Sequence, residues 1–179
     1  LSFGSIADLA EAGNPSTPTN SISFRHFGVE DGMPENQTFD IIQDRQGFMW
    51  FATRGGISRF DGREFVNYKH RDGDRQSLSG NFAWGLLEDR NGFIWIGTSV
   101  GGLSRFDPRL GTFTSYTTQE GADTGVDPVS NSVWGMVEDP GGGVWAGIIG
   151  KGLEFRDPDR GQIKVIRLQA ADADSIGEN

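Results

Sequence analysis

The sequence contains no cysteine, only two histidines and 7 prolines in 179 residues. Without cysteine there are no disulfide staples and no thiolate metal sites, although the compartment stays open. The two histidines, His26 and His70, stand in unrelated registers. No Ser-His-Asp arrangement, zinc spacing or general acid/base pair is legible around them. Basic residues are in deficit, with 16 Lys and Arg against 25 Asp and Glu, a net charge of −9 and a pI near 4.6. Nucleic acid and anionic membrane surfaces need basic patches, so neither is an expected partner. No apolar run is long enough to cross a bilayer, so direct membrane insertion of this segment is not expected. Glycine is plentiful at 27, which suits many tight turns rather than long helices.

The chain repeats itself. Asn36, Asn81 and Asn131 open three copies, Asp44, Asp89 and Asp139 follow eight residues later, and Trp50, Trp95 and Trp145 six after that. The Asp positions lie 45 and 50 residues apart (89 − 44 and 139 − 89). Each copy holds four short β-branched or aromatic runs bounded by Gly, Asp and Pro. In the second copy these are Phe82–Glu88, Phe93–Thr98, Leu103–Phe106 and Thr112–Tyr116. Asp-Arg-Gln-Gly, Asp-Arg-Asn-Gly and Asp-Pro-Gly-Gly separate the first two runs, where Asp caps its own turn and Gly takes φ > 0. The glycine pairs recur in every copy, so they are turns and not phosphate cradles, and no cofactor is expected.

Four-stranded antiparallel units at this period predict an all-β fold, a β-propeller of three blades forming a partial ring. The expected division is a flexible N-terminal segment 1–20, an outer closing strand and turn 21–35, and blades at 36–80, 81–130 and 131–178. The closing strand is placed at Ser21–Phe27 on its apolar Ile22, Phe24 and Phe27. Asn179 repeats the opening position of a fourth copy. A closed ring takes about 4–8 blades, so a fragment of a longer chain, or two copies pairing through exposed blade faces, is expected.

Repetition marks Trp50, Trp95 and Trp145 as packing residues between blades, and the repeated aspartates as turn residues. Candidate binding residues lie where copies differ or meet the channel mouth. Phe39, Trp84 and Trp134 fall early on the innermost strands; Trp84 and Trp134 offer stacking faces to a sugar or other ring, with blade packing as the competing role. Asn36, Asn81 and Asn131 either bond a ligand or cap the preceding loop. Arg54 and Lys151, in loops after the second strand, form with Arg71 and Arg75 a polar rim suited to an acidic or hydroxylated ligand.

The pattern Asn-x7-Asp-x2-Gly-x2-Trp-(Ile/Phe)-(Gly/Ala)-Thr, followed by Gly-(Leu/Ile)-x-Arg-Phe-Asp, resembles the two-component regulator propeller repeat. Asp31-Gly32-Met33-Pro34-Glu35-Asn36 resembles its opening signature, and the resemblance covers about residues 22–179. It implies a periplasmic sensor region of a membrane-spanning regulator with a histidine kinase or diguanylate cyclase output, and carbohydrate fragments as ligands. The third copy departs from the pattern: Ala146-Gly147-Ile148 lacks the Thr and Glu154-Phe155-Arg156-Asp157 shifts the aromatic, so an irregular third strand is expected there. Two other readings remain. A streptogramin-lyase-like enzyme would need a histidine at the channel face, and neither His26 nor His70 lies on an expected inner strand. A protein-interaction scaffold would use the blade faces.

Overall fold

Each repeat turns on an aspartate that does two jobs. In the computed structural model, which describes residues 23–116, 132–150 and 152–166, Asp44 Oδ1 accepts the backbone N–H groups of Gln46 and Phe48 at 2.9 Å. Its Oδ2 accepts the indole Nε1–H of Trp50 at 2.8 Å. Asp89 does the same for Asn91, Phe93 and Trp95, and Asp139 for Gly141 and Trp145. The glycine that closes each turn has positive φ, 91° at Gly47, 81° at Gly92 and 100° at Gly142, a region that disfavours any Cβ.

These hairpins open three four-stranded antiparallel sheets. The first blade holds β1 (Thr38–Gln43), β2 (Met49–Thr53), β3 (Gly56–Phe60) and β4 (Phe65–Tyr68). The second holds β5 (Ala83–Glu88), β6 (Ile94–Thr98), β7 (Leu103–Asp107) and β8 (Thr112–Tyr116). The third holds β9 (Val133–Glu138), β10 (Val144–Ile148), β11 (Gly152–Asp157) and β12 (Gln162–Ile166). Every blade is a meander, with β1, β5 and β9 side by side at the inner edge. The described residues form a three-bladed propeller arc.

Blades pack through the faces that carry the repeated tryptophans. Trp50 and Tyr68 meet Phe106 of the second blade at centroid distances of 5.5 and 4.9 Å, within a buried cluster that includes Ile57, Leu86, Ile94 and Phe113. Trp95 and Leu103 pack on Val133, Val144 and Ala146 of the third blade. Gly97 makes that second seam close, because a Cβ there would stand 2.8 Å from the Val133 carbonyl oxygen. Among the described residues the corresponding face of the third blade carries no further sheet: Trp145 is only half-buried, and Val137, Leu153 and Ile166 are exposed.

At the hairpin end, charged ties run from blade to blade. The Arg45 N–H donates to Glu88 and its guanidinium to the Arg90 carbonyl at 2.7 Å. Arg90 donates from its backbone and its Nε to Glu138, and from Nη2 to the carbonyls of Asp139 and Pro140. The relay has ends within these blades. Pro140 holds the donor position in the third blade, and Gln43 the acceptor position in the first, where it bonds its own turn through the Gly47 carbonyl.

Two expectations fail. The closing strand at Ser21–Phe27 does not form over its described part, residues 23–27. A strand needs a ladder partner, and this segment instead covers the first blade with a side chain, Phe27 packing on Phe60 and Phe65 at 5.0 and 5.8 Å. A short 3-10 turn, Val29–Asp31, then leads into β1. The third strand of the third blade is regular, paired over its length with β10 and β12. What changes is which residue faces which way. In the first two blades Arg59 and Arg105 lie over Phe48 and Phe93. The third blade has Gly143 there, and Phe155 takes up the space, close enough that a Cβ on Gly143 would stand 2.7 Å from its ring. Arg156 is thereby turned toward the second blade; it pairs with the buried Glu154 of its own strand and lies over Tyr116 of the second blade. The expected segment 1–20, the tail after Tyr116 and the start of a fourth copy lie outside the described residues.

The buried Asp–Trp bonds should dominate local stability. Asp89→Ala leaves the buried Trp95 indole and two turn N–H groups without their acceptor, and should cost about 3 kcal/mol, a fall in Tm of roughly 6–12 °C. A change under about 0.5 kcal/mol in urea unfolding would remove the aspartates from this role. Acid lability should follow as well. The Trp145 indole and Gly141 N–H bonds hold the Asp139 carboxyl below its ordinary pKa, and the Glu64 and Arg63 N–H groups do so for Asp61. At Glu138, burial acts upward but the Arg90 bonds and charge outweigh it. Lowered folded-state values mean stability that is present above the unfolded carboxylate pKa and lost as pH falls through the folded ones. Tm should hold from neutrality to about pH 5 and then fall below about pH 4; a Tm that rises on acidification contradicts this.

Candidate functional site

The end of the sheets opposite the hairpins carries the site, and a local irregularity builds it. Thr38 pairs with Thr53 and Asp40 with Ala52, so Phe39 is an extra residue in the inner strand. Trp84 is extra in the same way between Ala83 and Gly85, and Trp134 between Val133 and Gly135. All three inner strands therefore bulge at their aromatic, and a β-bulge re-aims a side chain and adds twist.

The bulged rings meet across the blades. Trp84 lies 4.8 Å from Phe39, 4.4 Å from Phe82 and 5.3 Å from Trp134, with the Phe82 contact stacked. Phe39 and Phe82 are 4.9 Å apart. One row of rings thus crosses three blades, ending at Trp134, 62% exposed. The Trp84 indole nitrogen is buried with no hydrogen-bond partner, an unusual state for a donor whose burial costs about 1–3 kcal/mol when unpaired. Arg54 completes the row, its guanidinium 5.0 Å above the Phe82 ring.

Trp84, Trp134 and Arg54 are thus brought together, and Phe82 joins them. The asparagines are used otherwise: Asn36 Oδ1 accepts the Val29 N–H and Asn81 Oδ1 the His70 N–H, both at 2.8 Å, so each holds a loop. Arg71 pairs with Asp74. Asn131 and Lys151 lie outside the described residues. His70 bonds the Leu78 carbonyl and Asp72 within its own loop, and His26 precedes the first blade; neither is on an inner strand. Among the described residues no group of three or more His, Asp or Glu is placed to hold a metal.

A polar cleft of about 220 Å³ lies between the second and third blades at the hairpin end. Its charges satisfy one another: Arg105 faces Asp159 at 3.5 Å, Asn91 donates to Asp159, and Arg90 is held by Glu138. The aromatic row has unmet donors and exposed faces, and is the better site.

A family model described as the two-component regulator propeller matches residues 32–55 and 77–100. Those two stretches carry two-component regulator propeller repeats. Over 56 residues the chain is 38% identical to histidine kinase P4 of Formosa agariphila, a match covering 31% of this chain and 4% of that protein. The extracellular domain of a structure ascribed to a hybrid two-component system of B. thetaiotaomicron aligns with a TM-score of 0.69 and 27% identity, over 80% of this chain and 20% of that one. Another extracellular domain from the same organism, ascribed to a one-component system, shares the fold at a TM-score of 0.61 and 22% identity, over 75% of this chain and 19% of that one. These repeats are thus homologous to extracellular regions of two-component sensors, and the chain spans only a small part of each relative. Among the described residues no helix is long and apolar enough to cross a membrane.

Two tryptophans of the row should respond differently to truncation. Trp134→Ala removes an exposed ring and should change stability by less than about 0.5 kcal/mol. Trp84→Ala removes a ring packed on three others and should cost about 3 kcal/mol. Equal destabilisation in chemical unfolding would make Trp134 a packing residue.

Proposed function

We propose that this chain is part of the periplasmic ligand-sensing region of a membrane-spanning two-component-type signalling protein, and that its aromatic row receives a carbohydrate fragment. The observation that carries the reading is the repeated bulge, which gathers Phe39, Trp84 and Trp134 from three strands and leaves Trp134 exposed. Aromatic faces stack on the apolar C–H faces of sugar rings, and the indole and guanidinium N–H groups suit hydroxyl acceptors. The segment performs no catalysis in this reading; its two histidines hold or precede loops away from the inner strands. Binding would shift an equilibrium between two arrangements of blades, which requires different affinities for the two.

The test is a thermal-shift screen of the protein against plant, algal and host oligosaccharides, repeated with Trp134→Ala. A stabilising oligosaccharide whose effect disappears in the variant supports the reading. No shift with any glycan removes it. If the protein then elutes as a dimer that Leu153→Glu dissociates, the open face around Val137, Trp145, Leu153 and Ile166 becomes the working surface and self-association the better account.

A further inference from the structure

We infer that the row takes a carboxylate-bearing sugar ring, an oligouronide, with its anionic group at Arg54. This rests on the carbohydrate reading of the same site, and adds the charge and the direction of the ligand.

The two ends of the row are chemically unlike. The loop after the second strand of each blade lies beside the row: the Ser99 N–H donates to the Phe82 carbonyl at 2.8 Å and the Ile149 N–H to the Ser132 carbonyl at 3.0 Å. In the first blade that loop carries Arg54, in the second Val100 and in the third Ile149. Val100 and Ile149 are both exposed. Among the described residues, the rim thus carries a cation at the first blade and exposed apolar side chains, Val100 and Ile149, at the other two; Lys151 of the third loop lies outside them. Between them the rings run from Arg54 over Phe82 to Trp84 and Trp134.

Arg54 is an exposed arginine beside the row with no carboxylate partner among the described residues; Arg59, also without an ion pair, is half-buried over Phe48 and Trp50 instead. Arg45, Arg71, Arg90, Arg105 and Arg156 each face a carboxylate, whereas Arg54 makes no ion pair among the described residues. Its guanidinium lies 5.0 Å from the Phe82 ring centroid, and its N–H fork suits a planar anionic acceptor. The chain carries a net charge of −9, so its general field repels anions and an anion is retained only where a fixed cation meets it. A uronic acid suits this arrangement. In an oligouronide the carboxylate of one unit, projecting from the ring edge, can meet the Arg54 fork while the C–H face of another unit lies on the exposed Trp134 at the far end of the row.

The test is calorimetric titration of the protein with trisaccharides of galacturonate, glucuronate and mannuronate, each beside its carboxyl-reduced, neutral counterpart. At least one acidic trisaccharide should bind 10-fold or more tightly than its neutral form. Arg54→Gln, at an exposed position where Tm should not change, should bring the acidic ligand to the affinity of the neutral one. Equal affinity for both forms, no effect of Arg54→Gln, or no binding of any acidic trisaccharide overturns the inference. Trp134→Ala separates the two layers. Neutral sugars that bind and are lost in this variant keep the aromatic site while the charge assignment falls; acidic sugars that bind Trp134→Ala like the unmodified protein remove the aromatic site itself.

Discussion

Three carboxylates, each at one hairpin, determine how the blades meet. Asp44, Asp89 and Asp139 each take backbone N–H groups of their turn and the indole N–H of a tryptophan six residues on. The same bond that closes the turn fixes the orientation of the ring, and the ring lies on the face that meets the next blade. Turn chemistry and sheet-on-sheet packing are therefore one interaction. Asp44 and Asp89 are nearly buried, so their oxygens have little water to fall back on and the geometry is tightly specified.

Much of this is readable in the sequence because turn residues repeat in register with the apolar runs. The twelve strands start and end within a few residues of the runs bounded by Gly, Asp and Pro. The Ser21–Phe27 segment has the alternation of a strand, yet alternation says only that apolar residues share a face. It does not supply a ladder partner, and Phe27 satisfies its apolar side by packing on Phe60 and Phe65 instead. The third blade was hard for a different reason. A gap at Gly143 and a swap of Phe155 with Arg156 are two changes that compensate each other only in three dimensions.

The candidate site was half legible. Trp84 and Trp134 stand out as aromatics at one register, but period-two reading of a strand leaves no room for an extra residue. The bulges at Phe39, Trp84 and Trp134 leave only a faint mark, the small Gly85 and Gly135 that follow two of them. Phe82 had no mark at all, since Gln37 and Ser132 hold its place in the other copies. The asparagines, by contrast, repeat because each loop needs a side-chain acceptor, and Asn36 and Asn81 supply one.

The arginine relay at the opposite end has a direction. Arg45 reaches into the second blade and Arg90 into the third, and there the series runs out, with Pro140 unable to donate and Gln43 turned to its own hairpin. The three blades are therefore riveted to one another but offer no rivet to a neighbour on either side at these positions. A rearrangement of these blades has to be concerted, because moving one across its seam breaks the ties that hold the next.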